Sequence, residues 1–415
     1  MQTHEPLHID SDSPRPMRAM NLANALVARG HQVVLWTSAF SHQKRTHRTR
    51  EHARVAISPQ LSIDLIPSPG YQRNIGPGRL WDHWILARNL QARLDLELSP
   101  PNVALIGYPP IETADVMSRW LMDRGVPMVL DVKDQWPTHF LDPFPRPLKL
   151  PVRVLLAGYF RMARRTIRRV SGITSMTKSF VQWALELGDR EPCPADRVVP
   201  LVPPSSNLSD AALAEARVWW DALGCKVEDG MFRLFFVGTH SKGFDFGPIQ
   251  VAAAECQASR ERVQFVICGD GPENAALRSA MSGLTNVEFP GWIDEARIAT
   301  LAERSQAALA PYRNIENFTK NVPNKIVDYL SLGVPILSSL GGEVEALITP
   351  RMAGLRYGGE GGPSLKSCID ALREDPAKRA EMSRNAIALH DERFTFDRVY
   401  GGLVSHLEDL ARSAR

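Results

Sequence analysis

The sequence predicts an α/β protein built from two doubly wound parallel-sheet domains. Three observations carry this. The chain has 415 residues, too many for one core when domains usually hold about 150. Short apolar runs alternate with helix-period stretches along most of it, the pattern of βαβ units. That alternation pauses at a polar, Pro/Ser-rich stretch, residues 202–210 (VPPSSNLSD), and then restarts.

In order, residues 32–37 (QVVLWT), 62–66, 103–106, 128–131 and 172–176 read as strands of the first domain. Helical periods at 18–29 and 111–123 separate them. Past the linker, 211–223 reads as a helix. The second series is strand 233–237, helix 246–260, strand 263–268, helix 271–282 and strand 287–289, then short strands at 307–310, 335–338 and 355–357. Residues 375–415 read as nearly all helical, with Asp375 as the capping residue and Pro376 at the first helical position. The expected domains are 1–205 and 206–385, with a helical segment 386–415 crossing back to the first. One element is short: only the largely polar residues 1–6 precede the first loop, residues 8–18, where such a sheet opens with a buried strand. The expectation is a truncated first strand or a start further upstream.

Composition is that of a globular protein, 44% hydrophobic and 23% charged. Residues 1–200 carry 26 Lys and Arg against 18 Asp and Glu; residues 201–415 carry 23 against 28. A basic first half and an acidic second half point to different neighbours for each. The five cysteines make no C-x-x-C pair and have irregular spacing, which supports neither a disulfide framework nor a zinc site. Cys268 sits in an apolar run and reads as packed core. A reducing cytoplasm fits best, and no secretory segment is expected.

Chemistry concentrates in loops after predicted strands, where open α/β sheets bind ligands. The first loop holds Asp10, Ser11, Ser13 and Arg15 before a helix start that favours an anion; it lacks the glycines of a dinucleotide fingerprint. Asp131, Lys133 and Asp134 follow the strand at 128–131. Residues 143–178 contain no acid and interleave nine Lys and Arg with apolar side chains. A basic amphipathic segment of this kind, 146–178, suits an anionic membrane face; no nucleic-acid motif accompanies it. In the second half, Gly238-Thr239 with Lys242, Gly269 with Gly271, and Trp292-Ile293 each follow a strand. Glycines let a phosphate approach the backbone and Lys242 adds charge. The densest segment is residues 314–348. Pro323 starts a helix that carries Lys325 and Asp328 on one face, and Gly341-Gly342 makes a tight turn. A lysine in the first turn opposes the helix dipole and so needs another reason to be there.

At this segment, Pro323-Asn-Lys325-Ile-Val-Asp328-Tyr329-Leu-Ser-Leu-Gly333-Val-Pro335 followed by Gly341-Gly342-Glu343, the chain resembles retaining glycosyltransferases of family 4, which have the GT-B fold. Ala25 to Val33, Asp134-Gln-Trp136-Pro137 and Cys268-Gly269-Asp-Gly271-Pro272 match as well, in order, over nearly the whole length. The branch it is most similar to builds bacterial surface polysaccharides. The resemblance implies two Rossmann-like domains facing a cleft, with the C-terminal helix returning to the first. It implies a nucleoside diphosphate sugar, with UDP as default, on the second domain. There Lys242 and Lys325 would meet the diphosphate, Asp328 the ribose, and Trp292 and Ile293 the base. It implies a lipid-linked or glycan acceptor on the first domain, with Asp134 facing it. Neither a cofactor nor a metal is expected, since the cationic groups can do a metal's work and the sequence has no ligand cluster. This chain departs from the family pattern in three places: Lys320 stands eight positions before Asp328 where a glutamate is usual, Thr239 replaces an arginine, and the first loop lacks glycine. A sugar-nucleotide epimerase of the same architecture and a weakly catalytic nucleotide-sugar-binding scaffold in a membrane assembly are the rival readings.

Overall fold

The computed structural model describes residues 1–10, 16–73, 76–203, 208–227 and 229–414. The chain divides into two compact units. One is Met1–Pro204 together with Phe396–Arg415; the other is Ser205–Thr395.

The first unit is built on strands β1 (Val33–Ser38), β2 (Ala53–Ser58), β3 (Leu61–Ile66), β4 (Ala104–Tyr108), β5 (Met128–Val132), β6 (Gly172–Ser175) and β7 (Arg197–Val198). β1 pairs parallel with β3, and β2 pairs antiparallel with β3. β4 to β7 form a parallel run in chain order. Residues 1–3 lie between the two groups. Gln2 N–H donates to Trp36 O at 2.9 Å, Met1 N to Leu105 O at 2.8 Å, and Gly107 N–H to Met1 O at 2.8 Å. The short opening segment therefore occupies the strand position that the sequence predicts to be truncated. The β2 hairpin strand, whose Ala53, Val55 and Ile57 alternate toward the core, and the helix Pro77–Leu94 are additions to the expected series.

The central strands β5 and β6 are buried on both faces, which is why they read as near-continuous apolar runs. Val129, Leu130, Val132 and Ile173 are fully buried in β5 and β6. The chain's last helix, Gly402–Ser413, packs on the first, Arg18–Ala28. Between them Asn21 Nδ2 donates to Tyr400 Oη at 3.3 Å, and Glu408 takes Arg29 and His31, both at 2.8 Å. The C-terminal segment from Phe396 belongs to the first unit, while residues 386–395 stay with the second.

The second unit has strands β8 (Phe232–Val237), β9 (Val263–Cys268), β10 (Val287–Gly291), β11 (Ala307–Ala310), β12 (Ile336–Ser338) and β13 (Gly354–Arg356). All are parallel, in the order β10-β9-β8-β11-β12-β13. The order reverses between β8 and β11, so the crevice at their carboxyl ends is the switch point where such sheets take ligands. Asp375 caps the helix Pro376–Arg393 by accepting from Lys378 N–H at 2.9 Å. Cys268 is fully buried, and all five cysteines are free thiols.

Candidate active site

At the switch point the loops after β8, β9 and β10 are tied backbone to backbone. Gly238 N–H donates to Cys268 O at 3.0 Å, His240 N–H to Asp270 O at 2.9 Å, and Gly269 N–H to Gly291 O at 2.7 Å. A Cβ on Gly269, where φ is +125°, would strike the Gly238 carbonyl. Glycine at 269 therefore serves the approach of two loops, and the Gly238 and Gly269 amides are already engaged. Gly271 N–H likewise bonds to the Asp270 side chain at 2.7 Å.

The helix Asn324–Ser331 lies over this junction. Pro323 occupies its N-cap position in an extended conformation, one residue earlier than first-turn proline would sit. Tyr329 fixes the helix to β8 by accepting the Val237 N–H at 3.1 Å and packing on Phe235 at 5.3 Å. Ile326, Val327 and Leu330 are buried beneath it. The exposed side of the first turn brings Lys325 Nζ over the rings of Phe236 and Phe244, at 5.4 and 5.6 Å from their centroids. A side chain on Gly238 would occupy the same space as that ammonium. Asp328, one helical step on, helps hold the buried Tyr312 phenol up, after desolvation as the main cause.

Gly341 N–H donates to Asn314 Oδ1 at 3.0 Å, and Gly342, at φ +66°, sits where a Cβ would strike the Thr319 carbonyl. The turn therefore abuts the short helix Glu316–Thr319, in which Glu316 pairs with Lys320 at 2.5 Å. Lys242 is exposed and has no partner among the described residues. Trp292 is 74% exposed, while Ile293 is buried and offers the site only backbone. Thr239 stands between the two tied residues Gly238 and His240.

In the first unit, the predicted polar cluster divides. Asp131 is fully buried and pairs with buried Arg18 at 3.2 Å, while Thr174 Oγ1 donates to it at 3.1 Å. It is a structural ion pair. Lys133 is held by Glu5 and by Gln2 Oε1, the latter at 2.7 Å. Only Asp134 stays at the surface, next to His139 Nδ1 at 2.6 Å. Asp10 is saturated by Arg48, at 2.5 and 2.7 Å, and by Leu7 N–H at 2.8 Å. Ser11, Ser13 and Arg15 lie outside the described residues.

Residues 17–203 match the family model described as glycosyl transferase 4-like domain, and residues 232–375 match glycosyl transferases group 1. The chain belongs to the family 4 type of GT-B glycosyltransferases. Its fold is similar to that of the sucrose-phosphate synthase from Thermosynechococcus elongatus (TM-score 0.65, 14% identity, covering 94% of this chain and 92% of that one). It is also similar to Anabaena Alr3699/HepE in complex with UDP (0.62, 15%, 94% and 96%). A third is WaaG, a glycosyltransferase involved in lipopolysaccharide biosynthesis (0.60, 12%, 98% and 98%). At such identities the likeness shows the fold alone. A search of curated protein sequences found no match.

Sequence reasoning passed over several parts of this glycosyltransferase. Phe236 and Phe244 cradle Lys325 but read only as strand and loop hydrophobes. His240 is buried within the first glycine loop, with Nδ1 3.0 Å from Asn274 Oδ1 and its basicity lowered by burial. His139 had no signal beyond its spacing from Asp134. A buried group was also missed behind the carboxyl edge of the first unit. His83 and Glu112 stand 3.8 Å apart, with Arg79 stacked over Trp136 at 4.7 Å. Burial pushes the His83 imidazole down to about 3 and the Glu112 carboxyl up to about 7.

Proposed function

We propose that this glycosyltransferase moves a sugar from a nucleoside diphosphate sugar, with UDP as the nucleotide, to a hydroxyl of a lipid-linked or polysaccharide acceptor in cell-surface glycan assembly, retaining anomeric configuration. The observation that carries this reading is the Lys325 ammonium held over Gly238 at the switch point of the second sheet. Cleavage of the sugar–phosphate bond leaves negative charge on the diphosphate. A preorganised cation at that spot, with exposed Lys242 in the loop that follows Gly238, offsets the charge as it develops. Asp328 would take the ribose hydroxyls and Trp292 the base. Similar folds support the donor class: Alr3699/HepE was crystallised with UDP-glucose, and an E. coli trehalose-6-phosphate enzyme with UDP-2-fluoro glucose.

Retention follows if the acceptor hydroxyl attacks on the face the diphosphate leaves, passing its proton to the departing phosphate oxygen. Asp134, already beside His139, would orient that hydroxyl.

The membrane-bound acceptor rests on the basic segment. The helix Arg146–Leu155 buries none of its residues, and Leu150, Val154 and Leu155 are 70%, 68% and 83% exposed. Arg168 and Arg169 of the next helix are spent on Asp189 and Asp115, while Arg146, Lys149 and Arg153 share the first helix with the exposed apolar side chains. That combination fits an anionic bilayer surface. Among the described residues no helix is long and apolar enough to cross a membrane.

A screen of labelled nucleotide sugars with wild-type enzyme and Lys325→Ala tests the reading. Transfer by the wild type and its loss in the variant are expected; undiminished transfer in the variant removes Lys325 from the mechanism. Product formed from donor alone would indicate an epimerase, and donor binding without turnover a scaffold.

A further inference from the structure

Three imidazoles and a guanidinium meet at the carboxyl edge of the first unit, among segments that follow β1, β3 and β5. The ring of His4 lies 5.0 Å from that of His42 and 5.3 Å from that of His83, centre to centre. Arg79, on the same helix as His83, stacks over Trp136 at 4.7 Å and over Tyr71 at 5.6 Å, which fixes its guanidinium plane. Thr3 Oγ1 is 3.2 Å from His4 Nδ1, and Tyr71 Oη is 2.5 Å from His42 Nδ1. The Nε2 of each ring has no hydrogen-bond partner among the described residues. His83 is fully buried beside His4, and neither of its ring nitrogens has a hydrogen-bond partner among the described residues. Buried polar atoms are nearly always paired, so such a ring calls for an explanation. His4 also holds φ at +67°, a costly backbone for a residue with a Cβ.

The field at this cluster is positive. Burial is the main reason that all three imidazoles lose basicity, and the charged groups that add to it are cations: Arg79 acts on all three, Arg45 on His42 and Lys133 on His4. The carboxylates on the same segments are engaged elsewhere. Glu5 is held by Lys133 and the Ala19 N–H, Asp82 accepts the Gly70 N–H at 2.6 Å, and Glu112 accepts from Tyr159 at 3.0 Å. Among the described residues no group of side chains could hold a metal ion, and Arg79 in this cluster opposes a cation. We propose that the cluster binds a phosphate group carried by the acceptor, with Arg79, His4 and His42 as donors and His83 behind them. This extends the proposed transfer to an acceptor hydroxyl, on which it rests, by naming a group that the acceptor bears. A guanidinium fork and two ring N–H groups suit an anion with several acceptor oxygens. The phosphate is either an ester on the acceptor sugar or the diphosphate that joins a sugar to a lipid. Both offer the same oxygens to these donors.

The test is calorimetric titration of the full chain, with UDP present in excess, against glucose 6-phosphate, geranyl diphosphate, inorganic phosphate and glucose. Wild type, His42→Gln and Arg79→Gln are compared. One of the two phosphate esters is expected to bind more tightly than inorganic phosphate, and glucose not to bind. Each substitution should weaken that ester about 10–100-fold, the usual loss for a hydrogen bond to a charged group. The tighter ester tells whether the phosphate sits on a sugar or on a lipid. Ring-nitrogen NMR of the wild type gives a second readout that needs no variant to fold: the same ester should shift the His4 and His42 resonances. Inorganic phosphate bound as tightly as either ester, no binding by both esters, undiminished affinity in both variants, or unmoved histidine resonances would each overturn the site. UDP affinity should be the same in all three proteins, because the nucleotide is assigned to the second unit. A failure of the donor reading therefore shows in the UDP titration, and a failure of the phosphate site in the ester titration.

Discussion

Lys325 carries its ammonium directly over Gly238, so that the space a side chain on residue 238 needs is the space the lysine uses. One position lies at the end of β8 and the other in the first turn of a later helix, and Tyr329 sets their approach by bonding to Val237 N–H. The lysine opposes its own helix dipole and faces ring carbons of Phe236 and Phe244. The proposed function gives that placement a use, as the cation that meets the donor diphosphate.

Lys325→Ala should therefore lower turnover about 100–1000-fold, the usual loss for one preorganised donor to developing charge. Gly238→Ala should displace the lysine and cost about 10–100-fold, and it should also lower Tm by a few degrees, because φ at residue 238 is +157°. The double variant should be no worse than Lys325→Ala alone, since residues in contact do not add. kcat/KM for the three variants checks this; additive losses would mean that residue 238 acts on the donor independently.

Arg18 and Asp131 form a fully buried ion pair at the carboxyl end of β5. Arg18 NH2 also reaches Val199 O at 2.6 Å. Removing one partner strands a buried charge, at a cost of about 3–5 kcal/mol. Arg18→Met should lower Tm by roughly 10 °C, and Arg18→Met/Asp131→Leu should recover most of it. Denaturation of both variants decides; an equal loss in the double variant would show that packing, not the unpaired charge, dominates.

This pair also shows where the sequence misleads. Position after a strand and a charged triplet, Asp131-Val-Lys133-Asp134, read alike for all three side chains. The fold separates them because a strand alternates and Asp131 still belongs to β5, pointing inward to an arginine far away in the chain. The parallel series itself was legible, since strands buried on both faces must be apolar and the helices between them must be periodic. The second-unit site was legible where one helix start carries it, from Pro323 to Asp328. What sets its geometry was not. The Gly238–Gly269 approach, the Tyr329 tether and the aromatic cradle depend on contacts between loops, and spacing along one chain does not encode them.

Trp292 is among the most exposed large hydrophobic side chains, at 74%, and follows β10 at the carboxyl edge of the sheet. A solvated indole contributes little to folding, so Trp292→Ala should leave stability within about 0.5 kcal/mol. If it stacks on the nucleotide base, the same change should weaken UDP binding about 5–100-fold, the span of about 1–3 kcal/mol for base–aromatic stacking. Titration calorimetry with UDP, beside a thermal melt, separates the two. Unchanged affinity would take the indole out of the donor site.

Glu112 gives the first unit a pH signature. Its carboxyl is buried, accepts from Tyr159 Oη at 3.0 Å and lies 3.8 Å from His83. Burial, the largest cause, lifts it from 4.5 to about 7. The folded state therefore holds a proton that the unfolded chain releases near 4.5. Stability from this group is complete below that value and falls as pH rises to about 7. The full swing is about 3 kcal/mol. His83 acts in the opposite sense, because burial pushes it from 6.5 down to about 3, so folding gains as pH rises between those values. The two oppose each other in wild type between about pH 4.5 and 6.5, and the difference between wild type and Glu112→Gln isolates the carboxyl. An amide in its place still accepts from Tyr159 and does not ionise. The two proteins should melt together near pH 4.5, and the variant should melt several degrees higher at pH 7.5. A constant difference across that range would mean that Glu112 ionises near its ordinary value, with solvent reaching it.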